Sequence, residues 1–117
     1  MIVIADTSAL VALSVCDALD LLDKLYEKIV VPISVFNEST IADKPQSEKL
    51  HHFLNNKISN RTIENTLQLP ANLGKGEIDA MILYKELKAD YLLIDDMRAR
   101  KIAKINKIQV IDSLGVL

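Results

Sequence analysis

The chain has 117 residues, which is enough for one domain with a hydrophobic core but not for two. Half of the residues are hydrophobic and only three are glycine and three proline, so the composition excludes an intrinsically disordered chain. The aromatic content of 4 % argues against a protein that binds single strands mainly by base stacking. The net charge of -2 neither favours nor excludes nucleic-acid binding, for which the distribution of charge along the chain matters more.

The first predicted element is a buried strand that ends at an acid. Ile2–Ala5 is a continuous apolar run, which is typical of a strand buried on both faces in a parallel sheet, and it stops at Asp6. Thr7 and Ser8 can cap a helix that starts immediately afterwards. Because ligands of open α/β sheets bind outside the carboxyl ends of the strands, Asp6 is a candidate site residue.

The same N-terminal run bears on localisation. It is too short for a signal peptide or a membrane span, and Asp6 interrupts it. The single cysteine, Cys16, excludes an intrachain disulfide and is typical of a reducing compartment. We therefore expect a cytoplasmic protein that does not bind a membrane.

A second strand and helix repeat the arrangement. A helix is predicted from Asp17, as its cap, to Glu27 or Lys28. The β-branched run Ile29–Val31 then predicts a strand, and Pro32 suits the first position of a further helix, where its missing N–H is not needed. Glu38 falls in the second turn of that helix, which leaves the same sheet edge as Asp6.

The middle of the chain carries less information. Glu48–Asn56 predicts a helix whose apolar residues recur at helical spacing. The polar stretch 57–69 predicts an extended or looped excursion, with weak strand signals at Ile58 and at Thr62 and Ile63.

The most regular predicted helix opens at Leu73–Glu77. Glu77 and Asp79 are both placed in its first turn, where acids are favoured by the helix dipole. They lie about 200° apart around the axis, so at most one of them can face a given site. The residues alone leave open which one does.

The last third again shows an acid after a buried strand. The run from Tyr91 to Ile94 ends at Asp95, and Asp96 is suited to be the N-cap of the next helix. That helix, Met97–Asn106, is expected to bury Ala99, Ile102, Ala103 and Ile105. It also carries basic side chains and no acid: Arg98, Arg100, Lys101 and Lys104, followed by Lys107. A fourth strand is predicted at 108–111, and an apolar tail follows from Leu114.

These elements predict a three-layer α/β/α fold with a parallel sheet of about four strands. Asp6, Glu38, Glu77 or Asp79, and Asp95 then meet at one sheet edge. Two unit charges about 4 Å apart repel by roughly 1 kcal/mol in water and about 4 kcal/mol near a protein surface, so such a cluster needs a cation, basic side chains or retained protons. Oxygen ligands without cysteine or paired histidine suit Mg²⁺ or Mn²⁺, and such an ion supports phosphodiester cleavage. The basic helix after Asp95 is a candidate for phosphate contacts.

Four segments together resemble the PIN domain, the nuclease fold of VapC-type toxins, and most closely its prokaryotic nucleic acid-binding branch. They are IADTSALVAL, VVPISVFNE, LGKGEIDAMILYKEL and DYLLIDDMRARKIAK. The resemblance covers the chain apart from 41–70 and implies a single domain over 1–117, without the further C-terminal helices common in this branch. It implies a four-acid Mg²⁺ or Mn²⁺ site, cleavage of single-stranded RNA, homodimers and a small antitoxin partner.

The resemblance also assigns roles to individual residues. It implies Asp6, Glu38 and Asp95 as metal-binding and catalytic acids, and the family's spacing of eighteen residues before Asp95 selects Glu77 as the third acid. Asp79 and Asp96 are alternative candidates for metal ligands. Hydroxyls that orient acids are matched by Thr7 and Ser8 for the first acid and by Ser113 after the last strand. The candidate RNA contacts are Lys75, Arg98, Arg100, Lys101 and Lys104.

We therefore predict a metal-dependent endoribonuclease that acts as the toxin of a toxin–antitoxin pair. One alternative is a catalytically inactive PIN-like module that binds RNA or a protein. Another is a phosphoacceptor domain of the response-regulator type, but there the paired acids follow the first strand, whereas Asp95 and Asp96 follow the third. The apolar end of the chain predicts a homodimer, because Leu114, Val116 and Leu117 need cover.

Overall fold

A computed structural model describes residues 1–59 and 72–117. Within these ranges the strands are β1 (Ile2–Ala5), β2 (Lys28–Pro32), β3 (Ile58–Ser59), β4 (Tyr91–Leu93) and β5 (Val110–Ile111). The helices are α1 (Thr7–Val15), α2 (Leu19–Leu25), α3 (Ile33–Ser39), α4 (Ser47–Leu54), α5 (Lys75–Leu87), α6 (Met97–Ile105) and α7 (Ser113–Val116). The predicted alternation of strand and helix is confirmed.

The strands form one parallel sheet in the order β3-β2-β1-β4-β5. Successive side chains of a strand point to opposite faces, and here both faces are covered. Val3 and Ala5 pack in a core with α1, α2 and α4, whereas Ile4 packs in a second core with α5 and α6. Burial on both faces explains why the strands are continuous apolar runs rather than alternating ones.

The predicted α/β/α class is therefore confirmed, with five strands where about four were expected. The additional strand is β3, in which Ile58 pairs with Val31. Two residues are too few to produce a periodic pattern, so the strand signal at Ile58 is weak. The other weak signal, at Thr62 and Ile63, and the rest of the predicted loop from residue 60 lie outside the described residues.

The strand order brings the ends of β1 and β4 together at a switch point. The chain runs outward from β1 through β2 to β3 and then returns to β4 on the other side of β1. Helices α1 and α6, which follow β1 and β4, pack on opposite faces of the sheet. In doubly wound sheets the ligand crevice opens at such a point, and the residues that follow these two strands include Asp6 and Asp95.

Several predicted boundaries are corrected. Helix α2 begins at Leu19 with Ala18 as its N-cap and ends at Leu25, so Asp17 is not the cap. Asp17 instead has φ 53° and accepts a hydrogen bond from Lys49 at 2.8 Å. Pro32 ends β2 and is the N-cap residue of α3 rather than its first helical residue.

The prediction for Ile105 is wrong, because its side chain is 79 % exposed. Ala99 and Ala103 are the fully buried residues of α6, and Ile105 lies two positions, about 200°, around the helix from Ala103. The predicted fourth strand is also shorter than expected, because only Val110 and Ile111 of 108–111 form β5.

The helices within residues 1–59 and 72–117 include none with the length and apolar character that crossing a lipid bilayer requires.

Candidate active site at the carboxyl edge of the sheet

Asp6 is the most buried acid at this edge. It follows β1 as the N-cap residue of α1, and its backbone N–H donates to the Leu93 carbonyl of β4 at 2.9 Å. Its side chain makes no capping bond, the residue is 2 % exposed, and its buried Oδ1 has no hydrogen-bond partner. Leaving such an atom unpaired costs about 1–3 kcal/mol, so a buried carboxylate oxygen without a donor is a position suited to a cation.

The electrostatic environment of Asp6 also favours a cation at this position. Burial raises the pKa of Asp6 to about 7; the backbone N–H of Thr7 opposes this shift, and the negative charges of Glu77 and Glu38 add to it. Near neutral pH the carboxyl group therefore holds a proton part of the time. A cation that binds here would displace that proton and relieve the repulsion from both neighbours.

Glu38 lies on α3 and is held by two donors from other helices. The Thr7 hydroxyl of α1 donates to Oε2 at 3.1 Å, and the Gly76 N–H of α5 donates to Oε1 at 3.1 Å. These two bonds keep an exposed carboxylate over the site, where its charge acts on Asp6.

Glu77 and Asp79 are in different environments. Glu77 is the third residue of α5 and accepts a hydrogen bond from the backbone N–H of the N-cap residue Gly74 at 2.9 Å, and its charge acts on Asp6. Asp79 lies in the second turn of α5, not the first, and is 8 % exposed. It accepts a hydrogen bond from the Ser34 hydroxyl at 2.6 Å and pairs with Lys75 at 3.2 Å.

Asp95 lies two residues beyond the end of β4 and is held by Ser113. The Ser113 N–H donates to Oδ1 at 2.7 Å and the Ser113 hydroxyl donates to Oδ2 at 2.6 Å. The Asp95 N–H in turn donates to the Ser8 hydroxyl at 3.3 Å. Asp96 is the N-cap of α6 and accepts from the Ala99 N–H at 2.8 Å, which gives it a structural task of its own.

The family resemblance implied that the hydroxyls of Thr7 and Ser8 orient Asp6, but in the structure both hydroxyls contact other residues. The Thr7 hydroxyl binds Glu38 and the Ser8 hydroxyl binds the backbone of Asp95, whereas the backbone N–H groups of both residues act on Asp6. The physical reason is that Asp6 is the N-cap residue, so the free amides of the first turn are the groups nearest its carboxylate. Ser113 donates hydrogen bonds to the carboxylate of Asp95.

The candidate RNA-binding residues divide into engaged and exposed ones. Arg100 forms an ion pair with Asp112 at 3.2 Å, and its Nε is buried without a partner. Lys75 is paired with Asp79 but is 79 % exposed, and Arg98 donates to the Asn72 carbonyl at 3.5 Å. No described residue forms an ion pair with Lys101 or Lys104, and both are exposed. Of the five, Arg100 is the least exposed, with 22 % of its side chain accessible.

Two residues that matter at this edge were not among the predicted site residues. Gly76 approaches Glu38 closely, and Ser34 holds Asp79. A glycine inside a helical pattern is a signal that could have been followed, because it costs helix stability and so needs a packing reason. Ser34 offered no comparable signal.

The donor set suits a hard divalent cation, because every candidate ligand is a carboxylate oxygen. Asp6, Glu38 and Glu77 share one electrostatic environment, and the unpartnered Oδ1 of Asp6 lies within it. Within residues 1–59 and 72–117, however, no three carboxylate, imidazole or thiol groups lie close enough together to hold an ion as they stand. Coordination of one ion by three of these acids therefore requires a side-chain rotation.

Comparison with known proteins agrees with this architecture. A family model described as a PIN domain matches residues 2–117. A PilT N-terminus domain protein from the hyperthermophilic archaeon Sulfolobus solfataricus P2 has a similar structure, with a TM-score of 0.65 and 22 % sequence identity over 100 % of this chain and 91 % of that chain. Among curated proteins, none matches this sequence significantly.

Proposed function

Because this chain belongs to a PIN domain family, whose members are generally nucleases, we propose that it is a metal-dependent endoribonuclease that cleaves single-stranded RNA. The observation that carries this proposal is the buried Oδ1 of Asp6, which has no hydrogen-bond partner and lies in the field of two further carboxylates. A nucleic-acid-binding or nuclease-type module is the coarser conclusion that family membership supports.

In the proposed site, Asp6, Glu38, Glu77 and Asp95 hold Mg²⁺ or Mn²⁺. The ion, when bound, supplies an activated water and neutralises charge on the phosphate. The chain contributes positioning: Thr7 and Gly76 hold Glu38, and Ser113 holds Asp95. Asp79 and Asp96 fall outside the proposed ligand set because each already has partners. A hydroxyl and a lysine bind the carboxylate of Asp79, and the carboxylate of Asp96 caps a helix.

The exposed cations near this edge bind the RNA backbone in the proposed complex. Lys101 and Lys104 lie on α6, which begins directly after Asp95 and Asp96, so their charges extend away from the metal site along one helix. Contacts of this kind position the strand without sequence preference, because they involve phosphates rather than bases.

The decisive experiment is RNA cleavage by the purified protein. We expect cleavage of a labelled single-stranded RNA with Mg²⁺ or Mn²⁺, no cleavage in EDTA, and a loss of at least about 100-fold in Asp6→Asn. Asp20→Asn is the matched control, because Asp20 is an exposed acid on α2. A parent protein that does not cleave, or an Asp6→Asn protein that cleaves as fast as the parent, would reject the proposal.

A second candidate is a catalytically inactive module that binds RNA or a protein. It is favoured by the absence, among the described residues, of three ligand groups already gathered around an ion position. It predicts RNA binding by fluorescence anisotropy that is unchanged in Asp6→Asn, together with no cleavage under any divalent ion.

We also propose a toxin role in the cytoplasm and a homodimer. A cytoplasmic toxin role with a small antitoxin is tested by growth arrest on expression and rescue by a neighbouring small gene. A homodimer is supported by the exposed apolar side chains of Val15, Leu114 and Leu117, which are 63 %, 79 % and 60 % exposed. Light scattering that gives the mass of a monomer, 13.0 kDa, would contradict the dimer.

A further inference from the structure

The carboxylate of Glu38 occupies the space that a side chain at position 76 would need. A Cβ at Gly76 would lie 2.6 Å from Oε1, 2.9 Å from Oε2 and 3.0 Å from Cδ of Glu38. Real Cβ atoms essentially never approach other heavy atoms within 3.0 Å. The Gly76 N–H also donates to Oε1 at 3.1 Å, so the carboxylate rests directly on the backbone of α5.

Backbone conformation does not explain why residue 76 is glycine. Gly76 is the second residue of α5, and none of the glycines has a positive φ. In a helix interior glycine is less favourable than alanine by roughly 1 kcal/mol. The close approach of Glu38 is therefore the feature that requires the absence of a side chain.

A buried contact also joins the same two helices beside Glu38. The Ser34 hydroxyl of α3 donates to Asp79 of α5 at 2.6 Å, and both residues are buried. On α3, Ser34 lies four residues before Glu38, and on α5, Asp79 lies three residues after Gly76. The two residues on each helix are therefore about one helical turn apart. The buried bond therefore joins α3 to α5 one helical turn away from the partly buried contact of Glu38 with Gly76.

We infer that Gly76 is the positioning residue for Glu38, and that its missing side chain lets the Glu38 carboxylate lie on the first turn of α5 facing Asp6. This inference rests on the proposed function in one respect, namely that Glu38 is a metal ligand. The placement of Glu38 itself rests on the contacts alone. Gly76 touches neither metal nor RNA in this scheme and acts through Glu38.

The test is Gly76→Ala, examined by a metal-free crystal structure and by calorimetric titration with Mn²⁺. The Glu38 carboxylate is the end of a flexible, exposed side chain, so it swings away, and the fold and the Tm stay close to those of the parent. Mn²⁺ affinity falls by about 10–100-fold, the range for loss of a group that orients a metal ligand. Gly115→Ala is the matched control, because it also adds a methyl group to a helix and meets its nearest atom, Asp112 Oδ1, at 3.3 Å.

A double variant separates a positioning role from a merely structural one. In a Glu38→Ala background, Gly76→Ala has no further effect on Mn²⁺ affinity, because the group it displaces is absent. An equal loss in both backgrounds would overturn the inference, and so would a crystal structure in which Glu38 keeps its contact with residue 76. A displaced carboxylate in a protein whose parent binds no Mn²⁺ would reject the proposed function and still support the placement of Glu38 by Gly76.

Discussion

At the scale of single residues, the site depends on one carboxyl group that the fold withdraws from water. Asp6 is tied to β4 through its backbone and is almost fully buried, so burial outweighs the amides that favour its charge. Its charged form is disfavoured, and a nearby cation would stabilise it. The negative charges of the neighbouring acids disfavour the charged form of Asp6 further.

The first prediction concerns pH. The folded-state pKa of Asp6, about 7, is above its ordinary value of 3.8, so between these values the folded protein holds a proton that the unfolded chain has lost. Stability without metal therefore falls as pH rises from about 4 to 7. Asp6→Asn lacks this charge, and its free energy of unfolding should rise relative to the parent across that window, by up to about 4 kcal/mol. Urea unfolding in EDTA measures the difference, and a pH-independent difference would contradict the prediction.

At the scale of elements, the site is assembled by contacts between helices that are distant in the chain. α3 and α5 meet through Ser34 and Asp79, and α1 reaches α3 through Thr7 and Glu38. The short helix α7 supplies Ser113 to Asp95. Glu38 and Asp95 are thus oriented by elements other than their own.

The second prediction tests the bond between α3 and α5. Ser34→Ala leaves Asp79 without its buried donor, which should lower the free energy of unfolding by about 1–3 kcal/mol. Mn²⁺ affinity should fall as well, because Glu38 is carried by α3. Ser47→Ala is the control, since the exposed Ser47 hydroxyl makes only a 3.5 Å contact with the Ala42 carbonyl. Equal unfolding free energies for the two variants would show that this bond does not stabilise the packing of α3 on α5.

The third prediction concerns the basic side chains of α6. Lys101→Gln and Lys104→Gln should weaken RNA binding uniformly across sequences and reduce the slope of log affinity against log salt by about 0.7 each. Lys24→Gln on α2 should change neither quantity. Arg100→Gln should instead lower stability, because it breaks the ion pair with Asp112. An unchanged salt slope in both α6 lysine variants would exclude this helix from the RNA interface.

At the scale of the whole molecule, the switch point of the sheet places the site between two cores. The residues after β1 and β4 meet there because β1 and β4 are neighbouring parallel strands. A cation at that position would join helices from both faces of the sheet, so binding and global stability should be coupled.

The fourth prediction follows from this coupling. Mn²⁺ at 100 times its dissociation constant should stabilise the folded protein by about 2.7 kcal/mol, and EDTA should remove the effect. The gain in Tm should be larger at pH 8 than at pH 5, because protons compete for Asp6 at the lower pH. Differential scanning fluorimetry measures both shifts, with Asp6→Asn as the variant in which the gain disappears. A metal effect that is equal at both pH values would place the ion elsewhere.

The sequence by itself determined the fold class, the acids at the ends of β1 and β4, and the family, which the comparison confirms as a PIN domain family. These features are local, because an apolar run, a following acid and a helix start lie within about ten residues of one another. Only the tertiary structure decided that Thr7 serves Glu38, that Arg100 is committed to Asp112, and that Gly76 makes room for a carboxylate 38 residues away. Such contacts depend on how helices dock across the sheet, and no spacing along the chain encodes that geometry.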